Sequence, residues 1–286
     1  MEILELNHED VLRILPERDP WGHKGTFGKI LLLCGSRGFT GAAYLSAMGA
    51  LRTGAGLVYL GVPQSIYAIE AIKLNEPVVI PLPDRNGMLS RDAIPHILNL
   101  LPKMDAVLIG CGLGISEDTD AVLKAVLENA HCPVVVDADG ISMLKAHKDI
   151  VRGRGDYTIL TPHDGEFVRL GADIGENRME SAAKAAQDWN CVMVLKGHRT
   201  CITDGVWHYR NCTGNSGMAV GGSGDVLAGI IVSLLGQGIR PVKAAACGVW
   251  LHGAAGDKAA DRMGEYGMLP SDMLICLPRL MKEGGI

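Results

Sequence analysis

Short apolar runs rich in leucine and β-branched residues alternate along this chain with longer amphipathic stretches, and that alternation constrains its fold more than any other feature. Positions 30–33, 57–60, 78–80, 106–109, 134–136, 158–160 and 191–195 have the length of buried strands, and most of them end at Gly, Pro or Asp. Helical spacing fills intervals at 42–52, 91–101, 119–129, 141–146 and 178–189, each long enough to carry the chain back for a parallel pairing. The pattern predicts an α/β fold with a central, mostly parallel sheet flanked by helices on both faces. Positions 200–203 and 206–209 around Asp204-Gly205 read as an antiparallel edge hairpin, because Asp-Gly suits a two-residue turn with positive φ. The last third is helical at 226–235 and 242–261, followed by a final helix that Ser271 is expected to cap. With no linker, repeat or low-complexity tract, residues 1–286 are expected to form one domain.

Composition removes several classes of function. No apolar run approaches the ~18 residues of a membrane span. A net charge of -5 without a basic tract argues against nucleic acid or an anionic membrane as partner. The acidic first residues lack the basic start and apolar run of a secretory leader, so a cytoplasmic location is expected. The 8 cysteines are scattered with no Cys-x-x-Cys pair, as expected of reduced core thiols and not of zinc ligands or disulfides. Glycine is the informative excess, with 37 residues clustered at the ends of apolar runs, where phosphate-handling α/β folds use it.

Sheets of this kind bind ligands beyond the carboxyl ends of their strands. Gly221-Gly222-Ser223-Gly224-Asp225 precedes an apolar helix, so its amides can converge on one anion and the helix dipole favours negative charge there. The same dipole favours an ionised Asp225, which could take a proton from a hydroxyl attacking a phosphate held in that cradle. A simple capping turn is the alternative, but capping would not need so many glycines. Thr161-Pro162-His163-Asp164-Gly165-Glu166 crowds His163 and Glu166 into a turn after a strand, as a metal or substrate contact or as the cap of the next helix. Lys196-Gly197-His198-Arg199-Thr200 offers charge and close backbone approach to a phosphate, or a solvated turn. Gly110-Cys111-Gly112-Leu113-Gly114 and Gly35 to Ala42 allow close approach of a ligand, although neither has dinucleotide-fingerprint spacing, and Gly22 to Ile30 is not a P-loop.

In this order, His23 to Gly28, Thr40-Gly41-Ala42, Gly110 to Gly114, Asp137-Ala138-Asp139, Thr161 to Glu166, Lys196-Gly197 and Gly222-Ser223-Gly224-Asp225 resemble the ADP/ATP-dependent NAD(P)H-hydrate dehydratase family, over nearly the whole chain from Trp21 onward. The resemblance implies a ribokinase-like fold and a lyase that repairs nicotinamide nucleotides: NADHX and NADPHX return to NADH and NADPH at the expense of ADP or ATP, with Mg²⁺. It implies that Asp225 is the base and that Gly222, Ser223 and Gly224 stabilise the moving phosphoryl group. It places Lys196, Gly197, His198, Arg199, Thr200 and Gly224 on the nucleotide, and Ala42, Gly112, His163 and Asp225 on the hydrated dinucleotide. Glu166 is the implied magnesium-shell carboxylate. Cys111 and Val220 depart from the family pattern, and neither removes a catalytic group.

The stretch of roughly 20 residues before Trp21 is too short for the epimerase domain fused to many members, so a dehydratase alone is expected. A homo-oligomer, with a tetramer as one form, is expected to use the apolar helices at 42–52 and 242–255. A ribokinase-fold kinase for a vitamin precursor or another small alcohol shares the same reacting centre and is the alternative. A catalytically silent nucleotide sensor does not need Asp225 and the complete cradle.

Overall fold

Alternate side chains of strand β1 (Lys29–Leu33) enter two separate cores, Ile30 and Leu32 on one face and Leu31 and Leu33 on the other. Side chains in an extended chain alternate in this way, so a strand apolar at every position belongs between two covering layers. The computed structural model describes residues 1–282 and bears this out. The remaining strands are β2 (Leu57–Pro63), β3 (Val78–Leu82), β4 (Asp84–Arg85), β5 (Met88–Leu89), β6 (Ala106–Ile109), β7 (Val134–Val136), β8 (Thr158–Leu160), β9 (Val192–Leu195), β10 (Cys201–Thr203) and β11 (His208–Arg210). They form a 9-stranded sheet in the order β11-β10-β9-β8-β7-β6-β1-β2-β3 and a separate ribbon of β4 and β5. Pairings from β9 through β3 are parallel, whereas β9–β10 and β10–β11 are antiparallel.

One face is covered by helices Thr40–Arg52, Ser223–Gly236, Pro241–Met263 and Pro270–Leu280, which contribute Ala43, Ala47, Ile230, Leu251 and Leu277 to the first core. The other face is covered by helices that include Glu117–Asn129 and Arg178–Trp189, with Val122, Val126, Ala182 and Trp189 in the second core. Full burial of one such aliphatic side chain contributes about 1.5–3 kcal/mol. Helices Thr40–Arg52 and Ser223–Gly236 meet at small residues: a β-carbon on Gly229 would lie 2.2 Å from the Ser46 carbonyl oxygen, and one on Gly49 would lie 2.7 Å from that of Val226.

Several local expectations are corrected. Asp204-Gly205 does not form a two-residue turn: Thr203 pairs with His208, leaving Asp204 to Trp207 as the loop. The Asp204 carboxylate accepts hydrogen bonds from the Val206 and Trp207 amides at 2.9 and 2.7 Å, an Asx-type turn that the carboxylate stabilises. The two-residue turn lies at Asn86-Gly87, with φ of 55° and 81°, and joins β4 to β5. Ser271 does not cap the last helix: Pro270 is its first residue, and Asp272 accepts from the Leu269 amide at 2.8 Å. Of the two helices expected to self-associate, one buries Ala43, Ala47 and Ala50 while Tyr44, Leu45, Met48 and Leu51 stay partly exposed, and the other buries Ala244 to Gly256.

The chain's first residues close one sheet edge. The Leu4 amide donates to the His208 carbonyl at 2.8 Å and the Leu4 carbonyl accepts from the Arg210 amide at 2.9 Å, alongside β11. No helix among the described residues is long and apolar enough to cross a membrane. All 8 cysteines are free thiols, and Cys212 is the exposed one.

Candidate active site

Strands β6, β7, β8 and β9 run parallel as consecutive neighbours, so the residues just past their carboxyl ends stand side by side. Those residues are Cys111, Asp137, Thr161 and Lys196. Beside β6 the order reverses through β1 and β2, which places the cluster at the switch point where such sheets open a crevice.

Asp137 is the hub. Its side chain is buried, yet Lys196 Nζ donates to Oδ1 at 2.7 Å, the Thr161 hydroxyl donates to the same oxygen at 2.7 Å, and the Cys111 thiol donates to Oδ2 at 3.6 Å. Lys196 Nζ also stands 3.8 Å from Glu166 Oε2. Burial pulls the Lys196 ammonium down, but Asp137 and Glu166 more than offset it and hold its pKa above the ordinary lysine value. Burial raises the Glu166 carboxyl, against the attraction of Lys196 and a hydrogen bond from the His163 amide.

The glycine-rich turn caps helix Ser223–Gly236. Gly222 is the N-cap, with φ of 97°, a left-handed conformation that glycine adopts without strain. The turn remains reachable: Gly221 is exposed, and Gly222, Gly224 and Asp225 are partly buried. A β-carbon on Gly224 would lie 3.6 Å from Lys196 Nζ and 3.8 Å from Asp137 Oδ2, so the helix start faces the hub. One ligand atom from each of Cys111, Asp137 and Asp225 lies within 4.8 Å of the others. Burial is the main cause that pushes the Asp225 pKa up to about 6, and the Asp137 charge adds to it, while the Cys111 hydrogen bond and Lys196 oppose it. A carboxylate poised near neutrality in the first turn of a helix has the properties of a general base next to an anion site, although the Ser223 amide also donates to the Val220 carbonyl at 3.3 Å.

The His163 turn is a helix cap with its side chains shared with the site. His163 Nδ1 accepts from the Gly165 amide at 3.0 Å, and Glu166 Oε2 accepts from the His163 amide at 2.8 Å, a capping box for helix Asp164–Arg169. The His163 ring is exposed and lies 3.5 Å from Glu166. Arg178 braces the neighbouring loop, donating to the Lys196 carbonyl at 2.9 Å and to Asp164 at 2.8 Å.

Four expected site residues are thus linked through Asp137, which was not among them: His163 meets Glu166, Glu166 meets Lys196, Lys196 pairs with Asp137, and Asp225 has a carboxylate oxygen within 4.8 Å of one of Asp137. Ala42 and Gly112 adjoin each other, since a β-carbon on Gly112 would lie 2.8 Å from Ala42 Cβ, and Gly112 follows Cys111 in the chain. Gly197 and Thr200 form a closed turn, with the Thr200 hydroxyl donating to the Gly197 carbonyl at 2.9 Å. His198 and Arg199 are exposed and make no side-chain hydrogen bond to these carboxylates, and the Arg199 charge acts on Glu5 and Cys212 instead. Sequence reasoning gave Asp137, Thr161 and Cys111 no chemical role, although the first two directly follow a strand and Cys111 lies two residues past one. It also passed over Ala138, whose φ of 48° with ψ of −116° directs Asp137 and Asp139 to different partners, Asp139 accepting from the Gly114 amide at 2.8 Å.

Comparison with known proteins agrees with this geometry. The chain is 45% identical over 94% of its length to the bifunctional NAD(P)H-hydrate repair enzyme Nnr of Moorella thermoacetica, and it spans about half of that relative, 52%. Its fold matches the crystal structure of ADP/ATP-dependent NAD(P)H-hydrate dehydratase from Bacillus subtilis, co-crystallized with ATP/Mg²⁺, with a TM-score of 0.83, 31% identity and 99% of each chain covered. It also matches a ribokinase-like superfamily protein from Enterococcus faecalis, with a TM-score of 0.88, 27% identity, and 98% of this chain and 96% of that one covered. The profile of the NAD(P)H-hydrate dehydratases matches residues 30–279, and this chain, with its ribokinase-like sheet, belongs to that family.

Proposed function

We propose that this chain dehydrates (S)-NADHX and (S)-NADPHX to NADH and NADPH with ADP or ATP as phosphoryl donor, and that Asp225 is its base. The observation that carries the reading is a carboxylate with a pKa of about 6 placed in the first turn of a glycine-capped helix. In the reaction, Asp225 takes the proton of the hydrate hydroxyl as the hydroxyl oxygen attacks the terminal phosphorus of the nucleotide, the bond from that phosphorus to the bridging oxygen breaks, and AMP leaves from ADP or ADP from ATP. Amides of Gly222, Ser223 and Gly224 stabilise the charge on the phosphoryl oxygens. The lone pair of the ring nitrogen then expels phosphate and leaves an iminium, and the next ring carbon gives a proton to the departing phosphate, which restores the carbon–carbon double bond and returns the lone pair to nitrogen.

Ala42, Gly112 and His163 are proposed to receive the hydrated nicotinamide nucleotide. The loop of Lys196, Gly197, His198, Arg199 and Thr200, with Gly224, is proposed to receive the phosphates and adenosine. Lys196 Nζ is engaged by Asp137 and Glu166, which supports a role in balancing charge at the cradle over one as an unpaired phosphate-binding cation. The carboxylates of Asp225, Asp137 and Glu166 supply the hard oxygen donors that Mg²⁺ takes, with Glu166 proposed to act through water. When bound, the ion would neutralise phosphate charge. We further propose that residues 1–286 act as one dehydratase domain, in the cytoplasm, as a homo-oligomer.

Prepared NADH hydrate with ADP or ATP and Mg²⁺ tests the reading: absorbance at the reduced nicotinamide band should return in step with phosphate release. A stable phosphorylated product from a small alcohol, with no return of absorbance, would establish the kinase reading instead.

A further inference from the structure

His252, in helix Pro241–Met263, is 8% exposed and reaches the first residue of the catalytic helix. Its Nε2 lies 2.9 Å from the Ser223 carbonyl oxygen and 3.3 Å from Ser223 Oγ. A carbonyl oxygen can only accept, so the 2.9 Å contact requires a hydrogen on Nε2. The neutral Nε2–H tautomer and the doubly protonated ring both meet that requirement, and burial, which pushes the His252 pKa down to about 4, selects the neutral one near pH 7.

The hydroxyl's role follows from this assignment. Nε2 already carries a hydrogen, so Ser223 Oγ cannot donate to it and instead accepts from it, sharing Nε2–H with the carbonyl. Ser223 Oγ makes no other hydrogen bond among the described residues. The residue is 8% exposed, and its hydroxyl hydrogen is left without a protein partner, one residue before Gly224, where a β-carbon would lie 3.6 Å from Lys196 Nζ and 3.8 Å from Asp137 Oδ2. An unpaired hydroxyl donor there is costly unless a ligand accepts from it.

We propose that the Ser223 side-chain hydroxyl donates to an oxygen of the transferring phosphoryl group, and that His252 is the positioning residue that compels it to donate by occupying its acceptor side. The inference rests on the phosphoryl-transfer reading above and adds a side-chain donor to the backbone amides.

Two measurements test it independently. Nitrogen–proton NMR correlation of the histidine-labelled full chain near neutral pH should show His252 as the Nε2–H tautomer. A His252 signal protonated only on Nδ1 would overturn the proposal whatever the enzyme's activity. In kinetics, Ser223→Ala should lower kcat by about 10²-fold while leaving the nucleotide KM within about twofold, and Ser223→Thr should restore much of the loss because it keeps the hydroxyl. His252→Gln, which retains an N–H donor of similar reach, should keep more kcat than His252→Leu. Unchanged kcat in a correctly folded Ser223→Ala, beside a dehydrating wild type, overturns this proposal alone. A wild-type chain that transfers no phosphoryl group overturns the functional reading and this inference with it, even if the tautomer is as assigned.

Discussion

Lys196 Nζ donates to Asp137 Oδ1 at 2.7 Å, and this ion pair joins the ends of β7 and β9 across the intervening β8. The Asp137 carboxylate is 2% exposed and the Lys196 side chain 18%, so neither charge is well served by water alone. Removing Lys196 leaves the buried Asp137 without a counter-charge, and removing Asp137 leaves Lys196 only Glu166, at 3.8 Å. Asp137→Ala should therefore lower the unfolding free energy by about 3–5 kcal/mol, measured by urea titration. Lys196→Met should destabilise in the same direction, and a double variant should lose less than the sum of the two.

Asp225 should set the acidic limb of the pH–rate profile. The base must be ionised to accept the hydroxyl proton, so kcat/KM for the hydrate should rise with pH through about 6 and then level. Asp225→Asn should remove that limb and lower turnover by about 10²- to 10⁴-fold, with nucleotide binding retained when measured by calorimetry.

Asp137→Asn should move the same limb to lower pH. The Asp137 charge raises the Asp225 pKa and Lys196 lowers it, so neutralising Asp137 removes the repulsion and leaves the ammonium to Asp225. A pH–rate profile that stays in place, or shifts upward, would contradict this account of the coupling.

Asp225 should also cost stability where it is ionised. Its folded pKa of about 6 exceeds the ordinary 3.8, so between those values the folded chain keeps a proton that the unfolded chain has released. Stability from this group therefore falls as pH rises from 3.8 toward 6 and stays lower above it. Asp225→Asn should raise Tm by a few degrees above pH 6 and by less near pH 4, read by calorimetry at both ends.

Gly229→Ala should damage both fold and catalysis. The added carbon would meet the Ser46 carbonyl oxygen at 2.2 Å, a backbone atom that cannot rotate away. The helices must separate, at about 1–3 kcal/mol or more, and the helix that moves is the one that presents Asp225. Urea titration and kcat should therefore fall together in this variant.

The parallel core was legible because its strands are almost wholly apolar, with Thr158 the polar residue of β8: β6, β7 and β8 match the expected 106–109, 134–136 and 158–160 residue for residue. Turns were harder to read, since Asp204-Gly205 and Asn86-Gly87 carry similar local signals. The Asp204 carboxylate draws two later amides into a longer loop, whereas at Asn86-Gly87 both residues take positive φ. Asp225 stood out through its glycine neighbours and the helix that follows. Asp137 and Thr161 did not, because an acid or a threonine after a strand is an ordinary end signal until the order β6-β7-β8-β9 brings them beside Lys196. His252 lay hidden in an apolar helix, with nothing local to link it to a serine 29 residues earlier.

The backbone of Leu4 along β11 has a consequence for how this chain behaves in concentrated solution. A strand margin with unfilled amides and carbonyls is a template on which further copies can add, and short covering segments are one way in which proteins suppress such growth. Cutting away the residues through Glu5 would strip that cover together with the Glu5–Arg210 ion pair. The trimmed molecule should then show light scattering that climbs with concentration.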